Sequence, residues 1–410
     1  MSVQQLLLPL VAGIVRSKQA LMEWVHQVGL LALGEVFEHD VEQLAGPRGR
    51  HAQVRSHYRW GRTASELPFG GRRIVVERPR VRGVDGGEAQ LPTLEEFRTL
   101  DAAPARVLNQ ILLGVSTRGY GPSLEPAPAG VKSRGTSKSA ASRHLIGRMG
   151  ERLGEQLSRR LDELELLVLM LDGVQIAHRT VVVALGILAN GHKAVLGLWQ
   201  GSTENAALCT ALLHNLIERG LKVDGRLLCV IDGGKGLRKA LADVFGDLAV
   251  VPRCRVHKQR NVLDHLPQNR KAYVARALSQ AWAGGSAEVA RRRLKTLLHW
   301  LERNGESGAA ASLHEGLEET LTVAKLGLPP ALRTFLVTTN AIENLMGSAR
   351  RLSRNVTRWR PGDMISRWTA AGLLHAEQGF HRIKGYRHLS LLAQALHSQP
   401  SHLDQTVEAA

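Results

Sequence analysis

Residues 164–201 read LELLVLMLDGVQIAHRTVVVALGILANGHKAVLGLWQG. The run 164–171 is almost continuously apolar, which suits a strand covered on both faces. Residues 179–188 and 193–199 read as two more strands, separated by the turn Asn190–Gly191. Downstream, residues 204–219 form an amphipathic helical pattern closed by Gly220. A strand at 226–231, a helix at 236–245, a strand at 248–252 and a helix from about 257 to 265 follow. Strands alternating with helices at these intervals predict an α/β domain.

From 268 to 325 the composition turns to Ala, Arg, Leu and Glu, punctuated by Gly284–Gly285 and Asn304–Gly305. No strand pattern is present there, so an all-helical insertion interrupts the α/β domain. A helix from about 341 to 354 resumes it, and the rest of the chain is basic and mostly helical with a polar tail.

Upstream, residues 1 to about 45 read as helical. The apolar run Leu6–Val15 lacks a charged beginning, contains Pro9 and is too short for a bilayer, so it reads as a packing helix rather than a signal peptide. From Gly46 to Gly87, Gly, Pro and Arg dominate, with RGRH at 48–51 and GGRRIVVERPRVRG at 70–83. The alternation of Ile74, Val76 and Val81 suggests a small arginine-rich ribbon. Contact with a DNA backbone and a solvated linker both stand as readings of it. Residues 104–115 and 136–161 are helical patterns, the second capped by Thr136 or Ser137. Its start presents Lys138, Ser139, Ser142 and Arg143, the small donors and cations of a groove-reading helix. An ordinary amphipathic surface helix fits the same residues.

The 410 residues carry 54 Lys plus Arg against 37 Asp plus Glu, a net charge of +17. Such an excess points to a polyanionic partner, because neutralised phosphates release condensed counterions. Three cysteines in so long a chain make no disulfide framework and fit a reducing, cytoplasmic setting.

Two acids follow buried runs: Asp172 after 164–171, and Asp232 after LLCVI at 227–231. Carboxylates brought together from neighbouring strands repel, and a shared site calls for a cation. Hard oxygen donors favour Mg²⁺ or Mn²⁺. Asp before Gly is also a common turn signal, so each position by itself reads as readily as a turn. Glu343 lies in VTTNAIENL at 337–345, where Asn340 and Glu343 have capping-box spacing. Glu343, Arg350 and Arg354 also fall on one face of a continuous helix. From Arg350 to Arg387 there are nine Lys or Arg, Arg358 among them, against Asp363 and Glu377. Trp368 reads as a core anchor; Trp359 could stack on a base or pack inward.

Cys254-x-x-His257 could suggest zinc, but Cys209, Cys229 and His265 do not complete a four-ligand set by spacing. His257 instead begins a basic helix with Lys258 and Arg260. The segment DGGKGLRK at 232–239 lacks the spaced glycines of a P-loop.

Taken together, GVSTRGYG at 114–121, GTSKSAASR at 135–143, LDGVQ at 171–175, RGL at 219–221, VIDGGKGL at 230–237, RCRVHKQRN at 253–261, TTNAIENL at 338–345 and GFHRIKGYRHL at 379–389 resemble the Mutator-type transposases of bacterial insertion sequences. The resemblance covers most of the chain from about residue 105 onward. It implies an α/β RNase H-like catalytic domain with an all-helical insertion, preceded by a mainly helical N-terminal DNA-binding region. The implied organisation is an N-terminal helical and basic region (1–100), a helix-turn-helix-like DNA-binding region (101–162), the first part of the catalytic core (163–267), the insertion (268–330), the last core helix with a basic C-terminal region (331–395) and a tail (396–410).

The family's acids fall on Asp172, Asp232 and Glu343, implied to hold two Mg²⁺ or Mn²⁺ ions, and its Cys/His pair falls on Cys254 and His257, which shape the site. DNA is the implied partner, as terminal inverted repeats and target, contacted through Lys138, Ser139, Ser142, Arg143, Lys258, Arg260, Arg350, Arg354 and Arg358. Several copies are expected to assemble on the DNA in the bacterial nucleoid. The expected reaction is strand cleavage followed by strand transfer. A nuclease without strand transfer and a DNA-binding protein derived from a transposase are the alternatives. Leu345–Met346–Gly347 departs from the polar residues many relatives place after the glutamate.

Overall fold

The computed structural model describes residues 18–49, 56–99, 103–124, 127, 130–223 and 225–398. The run Leu6–Val15, Arg50 and His51 of the RGRH segment, and the tail from 399 lie outside the described residues. The chain divides into two compact units, residues 1–148 and 149–410.

In the first unit, helix α1 (Lys18–Ala45) precedes a long hairpin of β1 (His57–Phe69) and β2 (Arg72–Gly83). The hairpin turns on Gly70–Gly71, both at positive φ, the requirement of a tight two-residue loop whose twist matches its strands. Leu33, Phe37, Val41 and Ala45 recur every four residues on α1, so they share one face. That face packs on Leu67, Ile74 and Val81 of the hairpin. The arginine-rich stretch is therefore a folded ribbon and not a solvated linker. Several of its cations are already paired: Arg59 and Arg62 with Glu38, and Arg78 and Arg80 with Glu88.

Short strands β3 (Glu88–Ala89) and β4 (Ser133–Arg134) both pair with β2, giving four strands. The unit thus adds a small sheet to its helices. Helices α2 (Pro92–Thr99) and α3 (Ala103–Leu112) and the first half of α4 (Lys138–Ser158) complete it, the unit boundary falling inside α4. Ser137 Oγ accepts the Ala140 N–H at 3.2 Å and caps α4. Residues 113–137 separate α3 from α4, much longer than the three- or four-residue turn of a helix-turn-helix.

The second unit holds a five-stranded mixed sheet of β5 (Leu166–Ile176), β6 (Arg179–Leu188), β7 (Lys193–Gly201), β8 (Leu227–Val230) and β9 (Ala249–Val250), in the order β7-β6-β5-β8-β9. The first three are antiparallel, and β8 and β9 add in parallel. Helices α5 (Ala206–Glu218) and α6 (Lys235–Phe245) cover the face of Leu169, Leu171, Val182 and Leu196. The opposite face, with Val168, Met170, Val183 and Val195, packs on the C-terminal helices. Burial on both faces explains why β5 and β6 read as unbroken apolar runs.

Helix α7 (Arg255–Asp264) leads into the insertion of α8 (Gln268–Trp282), α9 (Ala287–Arg303) and α10 (Ser307–His314), which has its own core around Val274, Leu278, Leu294, Leu301 and Leu313. The short α11 (Thr322–Lys325) and α12 (Pro330–Leu336) return the chain to α13 (Asn340–Leu352), α14 (Met364–Glu377) and α15 (Leu389–His397). Trp368 is buried and Trp359 packs against the same core.

The turn after β6 needs glycine. Gly191 sits at φ +82°, and a Cβ there would run into Tyr386. Gly191→Ala should destabilise the protein by about 1–3 kcal/mol through backbone strain plus this clash. An unchanged urea midpoint would contradict that assignment.

Candidate active site

The strand register brings two acids together. β5 and β8 pair in parallel, with Met170 opposite Val230. Asp172 and Asp232 each stand two residues further along. Side chains alternate with period two within β5, so Asp172 shares the face of Met170 and Val174, toward the C-terminal helices, while Asp232 stands in the loop just past the end of β8. Asp172 lies inside β5, opposite Val183, and not at the strand's end as the apolar run suggested. Asp232 follows β8, two residues past its last residue Val230, and its Oδ1 accepts the Gly234 N–H at 2.8 Å.

The third acid arrives from the covering layer. Helix α13 buries Ile342, Leu345, Met346 and Ala349, which leaves Glu343 in its first turn at the edge of the buried face. The capping-box reading of Asn340 is not what forms. The helix is preceded by Thr339, which is fully buried and donates its hydroxyl to Glu343 Oε1 at 2.6 Å. Helix α13 ends at Leu352, so Arg354 lies in the following loop and shares no helical face with Glu343.

Thr339 also joins Glu343 to the Cys/His pair. Its backbone N–H donates to Cys254 Sγ at 3.4 Å, and its hydroxyl oxygen lies 3.3 Å from His257 Nδ1. His257 Nδ1 is 3.8 Å from Glu343 Oε1. Cys254 is placed by the sheet, its N–H donating to the Ile231 carbonyl beside Asp232 at 2.9 Å. Ligand atoms of Cys254, His257 and Glu343 all lie within 4.8 Å of one another.

The electrostatics follow from this crowding. Burial pushes the Asp172 carboxyl up to about 7, with Asp232, Glu343 and Glu204 adding to the rise and His257 opposing it. His257 is held above its ordinary value chiefly by its hydrogen bond with Cys254, against the effect of burial. Burial raises the Cys254 thiol, but hydrogen bonds with His257 and Thr339 outweigh it, and the thiol ends below its ordinary value. Burial first, and the neighbouring acids second, keep the Asp172 carboxyl partly protonated near neutral pH. The ligand atoms that lie closest together are those of Cys254, His257 and Glu343, with Asp172 and Asp232 offering further oxygen donors that a cation would accept. The carboxylate oxygens suit a hard ion such as Mg²⁺ or Mn²⁺, and only Cys254 and His257 would favour a softer one.

Glu204 was not singled out by sequence reading. The amphipathic pattern places it at the start of the following helix, but that helix begins at Ala206, with Asn205 Oδ1 accepting the Leu208 N–H at 2.9 Å. Glu204 is thus free to turn toward the acids. Its carboxylate lies where a Cβ on Gly173 or Gly234 would be. Burial and Asp232 push its carboxyl up. The Glu-Asn pair at the end of a core strand was the available signal.

Of the residues expected to contact DNA, Lys138, Ser139 and Arg143 are exposed at the start of α4, and Ser142 is half-buried. Arg260, Arg350, Arg354 and Arg358 are exposed. Lys258 does not fit that role. It is fully buried, and its ammonium donates to the Ser312 and Glu315 carbonyls and, at 3.1 Å, to the Glu315 carboxylate. It fastens α7 to the end of α10. The three cysteines are free and buried, and no disulfide forms among them. Among the described residues no helix is long and apolar enough to cross a membrane.

The fold and site define a class: an α/β protein with a helical insertion, in which Asp172 inside β5, Asp232 just past β8 and Glu343 on α13 come near enough to act on one another's charge. The profile described as "Transposase, Mutator family" matches residues 15–378, and the chain belongs to that family. It is 31% identical over 188 residues to the transposase for insertion sequence element ISRM3 of Rhizobium meliloti (strain 1021), an alignment covering 46% of each chain. It is 28% identical over 263 residues to the transposase for insertion sequence element IS256 in transposon Tn4001 of Staphylococcus aureus, covering 62% of this chain and 65% of that one. To the transposase for ISRM5 of Rhizobium meliloti (strain 1021) it is 28% identical over 340 residues, covering 77% and 78%. The matched part thus spans about half the length of the ISRM3 relative.

Proposed function

We propose that the chain is a metal-dependent DNA transposase of the DDE type, cleaving DNA at the ends of an insertion sequence and joining the freed ends to a target. The observation that carries this reading is that Asp172 inside β5 faces the layer that holds Glu343, and that Asp232, just past the end of the neighbouring β8, and Glu343 both act on its charge. The sheet order β7-β6-β5-β8-β9, with three antiparallel strands and two parallel additions, supports an RNase H-like core. Family membership supports DNA as the substrate, and the net charge of +17 agrees with it.

Held by Asp172, Asp232 and Glu343, two Mg²⁺ or Mn²⁺ ions would supply activation of the attacking oxygen and stabilisation of the leaving oxygen. The chain's own part is positional. Thr339 fixes the Glu343 carboxylate by its hydroxyl hydrogen bond. His257 and Cys254 in turn hold Thr339, through its hydroxyl and its backbone N–H. No Ser or Tyr nucleophile is required, because water and then a 3′-hydroxyl attack the phosphodiester directly. Residues 101–162 are proposed to bind the terminal inverted repeats, with Lys138, Ser139 and Arg143 outward on α4. Arg260, Arg350, Arg354 and Arg358 are proposed to contact the DNA near the acids. Several copies are proposed to assemble on the paired ends.

The test is cleavage of a labelled DNA carrying the element's ends, with Mg²⁺ or with EDTA. The wild type should nick at the end only with metal, and Glu343→Gln should lose at least about 10³-fold, the equivalent of several kcal/mol of transition-state stabilisation. Cutting in EDTA, or undiminished cutting by Glu343→Gln, would remove the metal assignment. Supplying a pre-cut end with target DNA separates a transposase from a nuclease that only hydrolyses.

A further inference from the structure

A cavity of about 810 Å³ opens along α13, away from Glu343. Its walls come from the start of β7, from α12 and α13, and from the loop 379–384. Lys193, Arg351, Arg382 and Lys384 line it, and among the described residues no carboxylate does. The partners these cations have are neutral. Arg351 donates to Ser348 Oγ at 2.7 Å. Arg382 Nε lies 3.0 Å from His192 Nε2 and its guanidinium sits over Tyr386. Lys193 lies 4.7 Å from the Phe380 ring centre. Arg351, Arg382 and Lys384 are exposed.

Four cations gathered around one hollow repel one another unless an anion enters it. The rest of the lining is suited to phosphate. Asn340 and Asn344, four residues apart on α13, offer neutral side-chain amide donors, and Ser348 continues the row with its hydroxyl donating to the Asn344 carbonyl at 3.0 Å. Asn344 directly follows Glu343, and consecutive helical residues point about 100° apart, so the row and Glu343 lie roughly 8 Å apart around the helix surface. Consecutive nucleotides of one strand advance about 3.4 Å, so one strand can span both. The segment GFHRIKGYRHL, which the acid site leaves without a role, supplies Arg382 and Lys384.

We propose that this cavity binds phosphates of the DNA strand flanking the phosphodiester held at the acids. The inference rests on the transposase reading for the identity of the polyanion. An acidic polypeptide is the competing occupant.

The test uses the full chain with Arg351→Ala and Lys384→Ala combined, both at exposed positions. Binding of end DNA is measured by fluorescence anisotropy in EDTA across a salt series. Two lost phosphate contacts should make the slope of log Kobs against log salt shallower by about 1.8. Arg351→Lys, which keeps the charge, should retain the wild-type slope. An unchanged slope in the double variant overturns the proposal, as does polyglutamate that competes with DNA for the wild type but not for the double variant while the DNA slope stays the same. Because the slope is read without metal, a wild type that binds with the full slope and never cuts sinks the transposase reading and leaves this site standing.

Discussion

Asp172→Asn should abolish cleavage and at the same time stabilise the metal-free protein at pH 8. The folded chain holds the Asp172 carboxyl at about 7 against an ordinary 3.8, first through burial and then through Asp232. Between those two values the folded state keeps a proton that the unfolded state releases. Stability therefore falls as pH rises through this window, and above pH 7 the whole cost, up to about 4 kcal/mol, is present. Asparagine has nearly the same shape and no charge. The variant should gain stability at pH 8 and little at pH 4, where the wild-type carboxyl is protonated anyway. Urea unfolding in EDTA at the two pH values checks this. Equal pH dependence in variant and wild type would mean that Asp172 is not the group that titrates. Cleavage should fall by about 10³-fold or more, because a neutral amide is a poor ligand where a carboxylate is required. A gain in stability joined to loss of activity is what a site built from self-repelling charges produces.

The second large effect is structural. Lys258→Ala should cost about 3–5 kcal/mol, read from urea denaturation. The lysine is fully buried and its ammonium holds two carbonyls and the Glu315 carboxylate. Truncation removes the buried stem and leaves the carbonyls at Ser312 and Glu315 without that donor. Lys258→Met keeps most of the stem volume and should lose less, about 1–3 kcal/mol, which isolates the polar part. Arg253 also pairs with Glu315, at 2.9 Å, and would remain to hold the carboxylate. Loss of less than about 0.5 kcal/mol in Lys258→Ala would show that the insertion is fastened elsewhere. The consequence for function lies one residue away. His257 precedes Lys258 on α7, so loosening the end of α10 from α7 should disturb the contact of His257 with Thr339 before it touches the acids.

Much of this was legible before any coordinates. The apolar runs of β5 and β6, the Asn190–Gly191 turn and the all-helical stretch after 268 are local or periodic signals, and each formed within a few residues of its expected place. The arginine ribbon was also visible in its alternation. What local pattern could not resolve was where polar side chains end up. Lys258 and Arg260 lie in one basic segment, yet one is sealed inside and the other is in water. Asn340 and Thr339 both fit a helix start, and only the packing of α13 selects Thr339 as the partner of Glu343.

The sequence by itself determined the two-faced sheet, the helical insertion, the excess of positive charge and the family, because hydrophobic periodicity, composition and motif order are properties of the chain read in line. The tertiary structure alone decided that Asp172 sits inside a strand paired with the one that leads into Asp232, that Glu204 turns toward them, and that Arg351, Arg382, Lys384 and Lys193 surround one hollow. These are meetings of residues far apart in the chain. They depend on strand register and helix packing, which no single stretch of sequence encodes.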